Sequence, residues 1–116
     1  MDLKRRRMRE RQRRLRDLTN ELKLQRGECL LHPRYNEGRR KFVTQANLVE
    51  FDWDHRDPEL KIMTVSALAA VGTEQKIREE ITKCDLVCSN CHRRKTQDDN
   101  YYLPIRNHTQ HPTLFE

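Results

Sequence analysis

Residues 80–96 read Glu80-Ile81-Thr82-Lys83-Cys84-Asp85-Leu86-Val87-Cys88-Ser89-Asn90-Cys91-His92-Arg93-Arg94-Lys95-Thr96. At the centre of this stretch, Cys88-x-x-Cys91 has the spacing of a zinc half-site, because a short turn can present two thiolates together. A second half-site, Cys29-x-x-His32, lies far upstream. Tetrahedral zinc is typically held by two such pairs from separate turns, which makes Cys29, His32, Cys88 and Cys91 a Cys3His set. One ion would then tie together segments distant in sequence. Cys84 competes with His32 as fourth ligand. It has no x2 partner, however, and its neighbours alternate as a strand, which favours a buried structural thiol.

Composition favours such a staple. The chain has 116 residues, enough for one compact domain, yet it is only 34% hydrophobic and 36% charged, with a mean hydropathy of -1.07. So small an apolar supply builds a weak core, and metal binding supplies folding free energy directly. No apolar run approaches membrane-spanning length, so no transmembrane helix is expected. The N-terminus is too charged for a secretory signal. Together these point to a reducing cytoplasm, where four cysteines read as metal ligands rather than disulfides.

Charge is distributed unevenly. The net charge is +6, yet residues 1–26 hold 11 Lys/Arg and 4 Asp/Glu, a net of +7, and the remainder is close to neutral. A basic terminal segment of this kind suits a polyanion, most often nucleic acid. The plainer alternative is a solvated helix made of good helix formers. Residues 3–25 contain no Gly or Pro and read as one helix, ended by Gly27. Met8, Leu15, Leu18 and Leu22 give it a thin apolar stripe for the domain or a partner helix. Arg11 interrupts that stripe as a coiled-coil seam, so monomer and homodimer both stay open.

From Cys29 to Arg40 the chain is loop-like, with Pro33, Asn36 and Gly38 as turn formers. Val49, Phe51 and Trp53 alternate with Glu50 and Asp52, which predicts a strand with Asp54 on its polar face, broken at Asp57-Pro58. Ser66 is a fair N-cap for a helix from Ala67 to Val71, closed by Gly72. Thr73 caps a second, in which Ile77 and Ile81 form a core pair. His92 to Asp98 should be helical, and the tail from Asn100, with Pro104 and Pro112, irregular. The implied organisation is a basic helix over residues 1–26, a zinc-stabilised domain over 27–100 and a tail over 101–116.

Asp54-His55 places a hard oxygen ligand beside an imidazole whose ordinary pKa lies near neutrality. Phosphodiester hydrolysis needs a divalent ion to neutralise developing charge and a base to activate water. Asp54 suits the ion and His55 the base. His92, placed directly after the zinc turn, can supply a second ligand to the ion. Separately, each of these residues would read as a surface group. In this order, between two zinc pairs, they form a constellation.

Here the chain resembles the HNH, or ββα-metal, endonucleases, especially phage-type members with a zinc clamp. The matching residues are Cys29-x-x-His32, Val49-Glu50-Phe51-Asp52-Trp53-Asp54-His55-Arg56 and the stretch 80–96 quoted above, roughly residues 27 to 97. The resemblance implies an α+β fold, a small zinc-stabilised ββα-metal domain carrying a long basic N-terminal helix. It implies cleavage of DNA with Mg2+ or Mn2+, while the small size and the lack of a targeting domain favour the cytoplasm of a bacterial or phage-infected cell. Asp54 and His92 become the ligands of the catalytic ion and His55 the general base. The catalytic helix would lie along the minor groove, with Arg93, Arg94 and Lys95 on backbone phosphates. The N-terminal cluster, Arg5, Arg6, Arg7, Arg9, Arg13 and Arg14, would add salt-sensitive affinity with weak sequence preference. Two departures stand out. His32 replaces the usual second cysteine of the first pair, and the family's middle Asn, which braces the base, has no counterpart in Lys83-Cys84-Asp85.

Two other readings use the same residues. A non-catalytic zinc-stabilised DNA-binding module would need none of Asp54, His55 and His92. An interaction protein would recruit partners through the basic helix.

Overall fold

A computed structural model describes residues 2–106, with side chains described through residue 99. It contains a two-stranded antiparallel sheet surrounded by helices. Helix α1 spans Leu3–Arg26. Asp2 caps its start by accepting from the Arg5 N–H at 2.9 Å. Gly27 ends it at φ 93, returning its N–H to the Lys23 carbonyl, a conformation that favours glycine.

The stripe on α1 is used only in part. Leu15 and Leu18 are buried and Leu22 packs against the same core, but Met8 is 53% exposed among the described residues. Arg11, the interruption in the stripe, donates to the Gly72 carbonyl at 2.5 Å. Gly72 closes helix α3, Val65–Val71, and a guanidinium suits the unpaired carbonyls of a helix end. Gln12 donates to the neighbouring Ala70 carbonyl. Polar residues thus fix α1 on α3 where its apolar stripe breaks.

Between α1 and the sheet, residues 28 and 42 form an antiparallel bridge. The intervening loop contains one helical turn, α2, His32–Tyr35. Strand β1 is Phe51–His55. Val49, expected on its apolar face, lies instead in a 3-10 segment, Gln45–Glu50, and is 88% exposed. Thr44 and Asn47 form a reciprocal capping box there, and this local bonding outcompetes extension of the strand. After β1, Asp57 caps a 3-10 turn, Pro58–Leu60. Helix α3 is capped by Thr64, which accepts from the Ala67 N–H at 3.1 Å, and not by Ser66. Starting the helix earlier lets it bury Val65.

Thr73 caps α4, Glu74–Ile81, as expected, and Ile77 and Ile81 are buried. Strand β2, Cys84–Cys88, pairs with β1 so that Asp54 lies opposite Asp85 and His55 opposite Cys84. Helix α5, Ser89–Arg106, follows directly. It therefore continues past Asn100, where an irregular tail was expected; Pro104 makes a helix costlier there without forbidding it. The tail expected beyond it, residues 107–116, lies outside the described residues.

Two apolar clusters flank the sheet. Leu15, Leu18, Val65, Leu68, Ala69, Ile77, Ile81 and Cys84 form one. Phe51, Leu86 and Val87 form the other, with Cys29, Cys88 and Cys91. The second is thus built around three of the four candidate metal ligands. Among the described residues, no helix is long and apolar enough to cross a membrane.

Candidate metal centre and adjoining acidic site

The two half-sites meet in space. The ligand atoms of Cys29, His32, Cys88 and Cys91 all lie within 4.8 Å of one another, so these four residues could hold a zinc ion. Each comes from a different structural context. Cys29 precedes a backbone bond from Leu30 N–H to the Leu86 carbonyl of β2, 2.9 Å long, which docks the upstream loop on the sheet. His32 opens α2, and its Nδ1 lies 3.7 Å from both Cys88 and Cys91 Sγ. Cys88 ends β2 and Cys91 lies in the first turn of α5. The Cys88 N–H donates to Cys29 Sγ at 3.1 Å, the type of outer bond that steadies a ligating thiolate.

Electrostatics match this purpose. Burial pushes the Cys88 thiol up, but hydrogen bonds from Cys91 and Cys29 and the charge of Lys41 outweigh it, and the net shift is downward. Burial and the neighbouring thiols push Cys91 up. A bound cation must displace the remaining thiol protons, so affinity will rise with pH. Cys84 stands outside the group. It is fully buried, its Sγ donates to the Glu80 carbonyl at 3.4 Å, and burial followed by the charge of Glu80 pushes it up to about 11. That is a structural thiol, and it leaves His32 as the fourth member.

The second site lies beside the first. His92, one residue past Cys91, faces β1 with Nδ1 3.1 Å from Asp52 Oδ2 and Nε2 3.4 Å from Asp54 Oδ1. Asp54 also accepts from Lys95 Nζ at 2.5 Å through its other oxygen. The structure therefore brings Asp54 and His92 together. It adds Asp52, which sequence reasoning passed over although period-two alternation places it on the Asp54 face. A carboxylate on one ring nitrogen fixes the tautomer that leaves the other free to bind an ion.

His55 takes the other direction. Alternation puts it on the face of Phe51 and Trp53, and it is 8% exposed. Its Nε2 lies 2.7 Å from Glu80 Oε2. Glu80 is itself buried and also accepts from Lys83 Nζ at 3.0 Å and the Ile62 N–H at 3.0 Å. Burial alone would raise its pKa, but the bonds from Lys83, Ile62 and His55 together hold it down at about 2. The sequence carried one signal for this residue. Glu80 stands at i+3 from Ile77 on the apolar stripe of α4, where an unpaired charge would be costly.

The predicted DNA contacts divide. Arg5, Arg6, Arg7, Arg9, Arg13 and Arg14 are exposed on α1, Arg5 within 3.9 Å of Asp2. On α5, Arg93 donates to Asn90 at 3.3 Å and Arg94 stacks 5.0 Å from the Tyr35 ring centre. Lys95 is engaged by Asp54. Comparison of the chain with protein-family models, with curated proteins and with solved structures finds no match.

Proposed function

We propose that this chain is a metal-dependent DNA endonuclease of the HNH type, hydrolysing phosphodiester bonds by nicking or double-strand cleavage. The observation that carries the reading is the approach of Asp54 Oδ1 to His92 Nε2 at 3.4 Å, next to a Cys/His cluster able to hold zinc. Two donors in neighbouring positions around one ion at about 2.1 Å stand roughly 3 Å apart, so the pair fits a divalent ion with little adjustment. The order β1, β2, α5 supports a ββα-metal arrangement, with the zinc pair at the strand-to-helix junction that carries His92.

Asp54 and His92 would hold the ion, and Asp52 would orient His92. When bound, Mg2+ or Mn2+ neutralises charge developing on the phosphate and the leaving oxygen. His55, whose ring lies at the end of β1 on the face opposite Asp54, would take one proton from the attacking water through the ring nitrogen that Glu80 leaves free. The water oxygen forms the new P–O bond, the bond to the leaving sugar oxygen breaks, and that oxygen takes a proton from solvent. The exposed arginines of α1 would grip backbone phosphates, with little sequence preference.

A non-catalytic DNA-binding module is the second reading. It is favoured by the burial of His55 against Glu80 and by the Lys95 ammonium on Asp54, which already offsets the charge an ion would use. Supercoiled plasmid incubated with zinc-loaded protein and Mg2+ or Mn2+ decides between them. Nicking abolished by EDTA, by Asp54→Ala and by His55→Ala is the expected result. Protein that shifts DNA on a gel and never cuts it would replace the nuclease with the binding module.

A further inference from the structure

Glu80 is a buried carboxylate, 2% exposed, and burying such a charge is costly unless donors surround it. Three do. Lys83 Nζ occupies Oε1, while Ile62 N–H and His55 Nε2 share Oε2, at 3.0 and 2.7 Å. Of these, Lys83 and Ile62 would hold the carboxylate in place without His55. Lys83 is itself anchored at the Leu60 carbonyl, so Oε2 is presented to His55 by a frame that does not depend on the imidazole.

This frame has a chemical consequence. An ionised carboxylate only accepts, so Nε2 of His55 must carry a hydrogen. A neutral imidazole has one N–H, which leaves the lone pair on Nδ1. Within the described residues Nδ1 has no hydrogen-bond partner, and the only fully buried side-chain N or O atom without one is Trp53 Nε1. Nδ1 is therefore the nitrogen of His55 that solvent can reach.

We propose that Glu80 is the positioning residue of His55, locking it in the Nε2–H tautomer and aiming the Nδ1 lone pair outward as the proton acceptor. The acceptor role rests on the nuclease reading above; the locked tautomer does not. The HNH resemblance implies an Asn before the second zinc pair as the brace of the base. Here a carboxylate on α4, reaching across the strand ends, occupies that role.

The test reads the two parts separately. Long-range nitrogen–proton NMR of zinc-loaded wild-type protein near neutral pH reports which ring nitrogen of His55 carries the proton, with no DNA and no added Mg2+. The Nε2–H signature is expected. An Nδ1–H signature, or fast averaging of both tautomers, overturns the proposal without any variant. In Glu80→Gln, checked for one zinc per chain and native tryptophan fluorescence, the single tautomer should give way to a mixture. Plasmid-nicking kcat should fall about 100-fold or more with KM for DNA nearly unchanged, the effect of removing a carboxylate that orients a histidine. Glu80→Gln protein that keeps both the tautomer and kcat refutes the positioning role. A locked tautomer, lost in Glu80→Gln, in a protein that never cuts DNA would uphold the lock and overturn the nuclease reading alone.

Discussion

Removal of zinc should cost this chain most of its stability. The cluster joins Cys29 to Cys88 across 59 positions and His32 to Cys88 across 56. Treated as a cross-link closing a loop of that length, the ion removes about 4 kcal/mol of chain entropy from the unfolded state. Small domains have a total stability of about 5–15 kcal/mol. This entropic term sets the scale of the expected loss. The cluster also forms one wall of the core that contains Phe51, Leu86 and Val87, so the sheet should lose its packing with the metal. Trp53, the one tryptophan of the chain, lies on β1 and reports on it. The assay is urea unfolding followed by tryptophan fluorescence, with and without a strong chelator, and zinc content measured in parallel. The expected result is one zinc per chain and a loss of about 4 kcal/mol on chelation. Cys84→Ala should keep its zinc, and His32→Ala should bind it much more weakly. Chelated protein with an unchanged midpoint, or zinc lost from Cys84→Ala and retained by His32→Ala, would refute the ligand set and the reasoning from it.

Three further outcomes are expected. Ile77, with no exposed surface in the α1–α3–α4 cluster, should cost about 2–5 kcal/mol on replacement by Ala, because the cavity it leaves is walled by three helices; urea unfolding of zinc-loaded protein measures this, and a loss under about 1 kcal/mol would mean that the cluster is loosely packed. Glu80 is held near 2 in the folded state against an ordinary 4.5, so the unfolded chain binds its proton first as pH falls. The stability it contributes is complete above about 4.5 and is lost as pH falls through about 2, and the stability gap between wild type and Glu80→Gln should narrow over that window in urea titrations run at fixed pH. Replacing Arg5, Arg6 and Arg7 by Gln should lower the slope of log affinity for duplex DNA against log salt by up to about 2.7, at roughly 0.9 for each phosphate no longer neutralised; an unchanged slope would remove α1 from the DNA interface.

How much of this was legible in the sequence depends on how local the physics is. Period and caps are local, and the long basic helix, its glycine stop, the Thr73-capped helix with Ile77 and Ile81, and the strand carrying Phe51 and Trp53 were all readable. Two of the departures were also local. Thr64 outranked Ser66 as a cap because an earlier start buries Val65, and the Thr44–Asn47 box took Val49 out of the strand.

Sequence alone was enough for the two candidate metal-binding pairs, because x2 spacing is a property of a single turn, and it named Asp54, His55 and His92 as candidates. How they sit relative to one another follows from the packing of whole elements. The β1–β2 register and the start of α5 directly after Cys88 bring His92 between Asp52 and Asp54, across 40 positions from Asp52. The packing of α4 beneath the strand ends sets Glu80 against His55 across 25 positions. The same packing buries Cys84 away from the cluster and leaves His32 to complete it. Contacts of that span depend on the relative placement of whole elements, which no local period or spacing encodes.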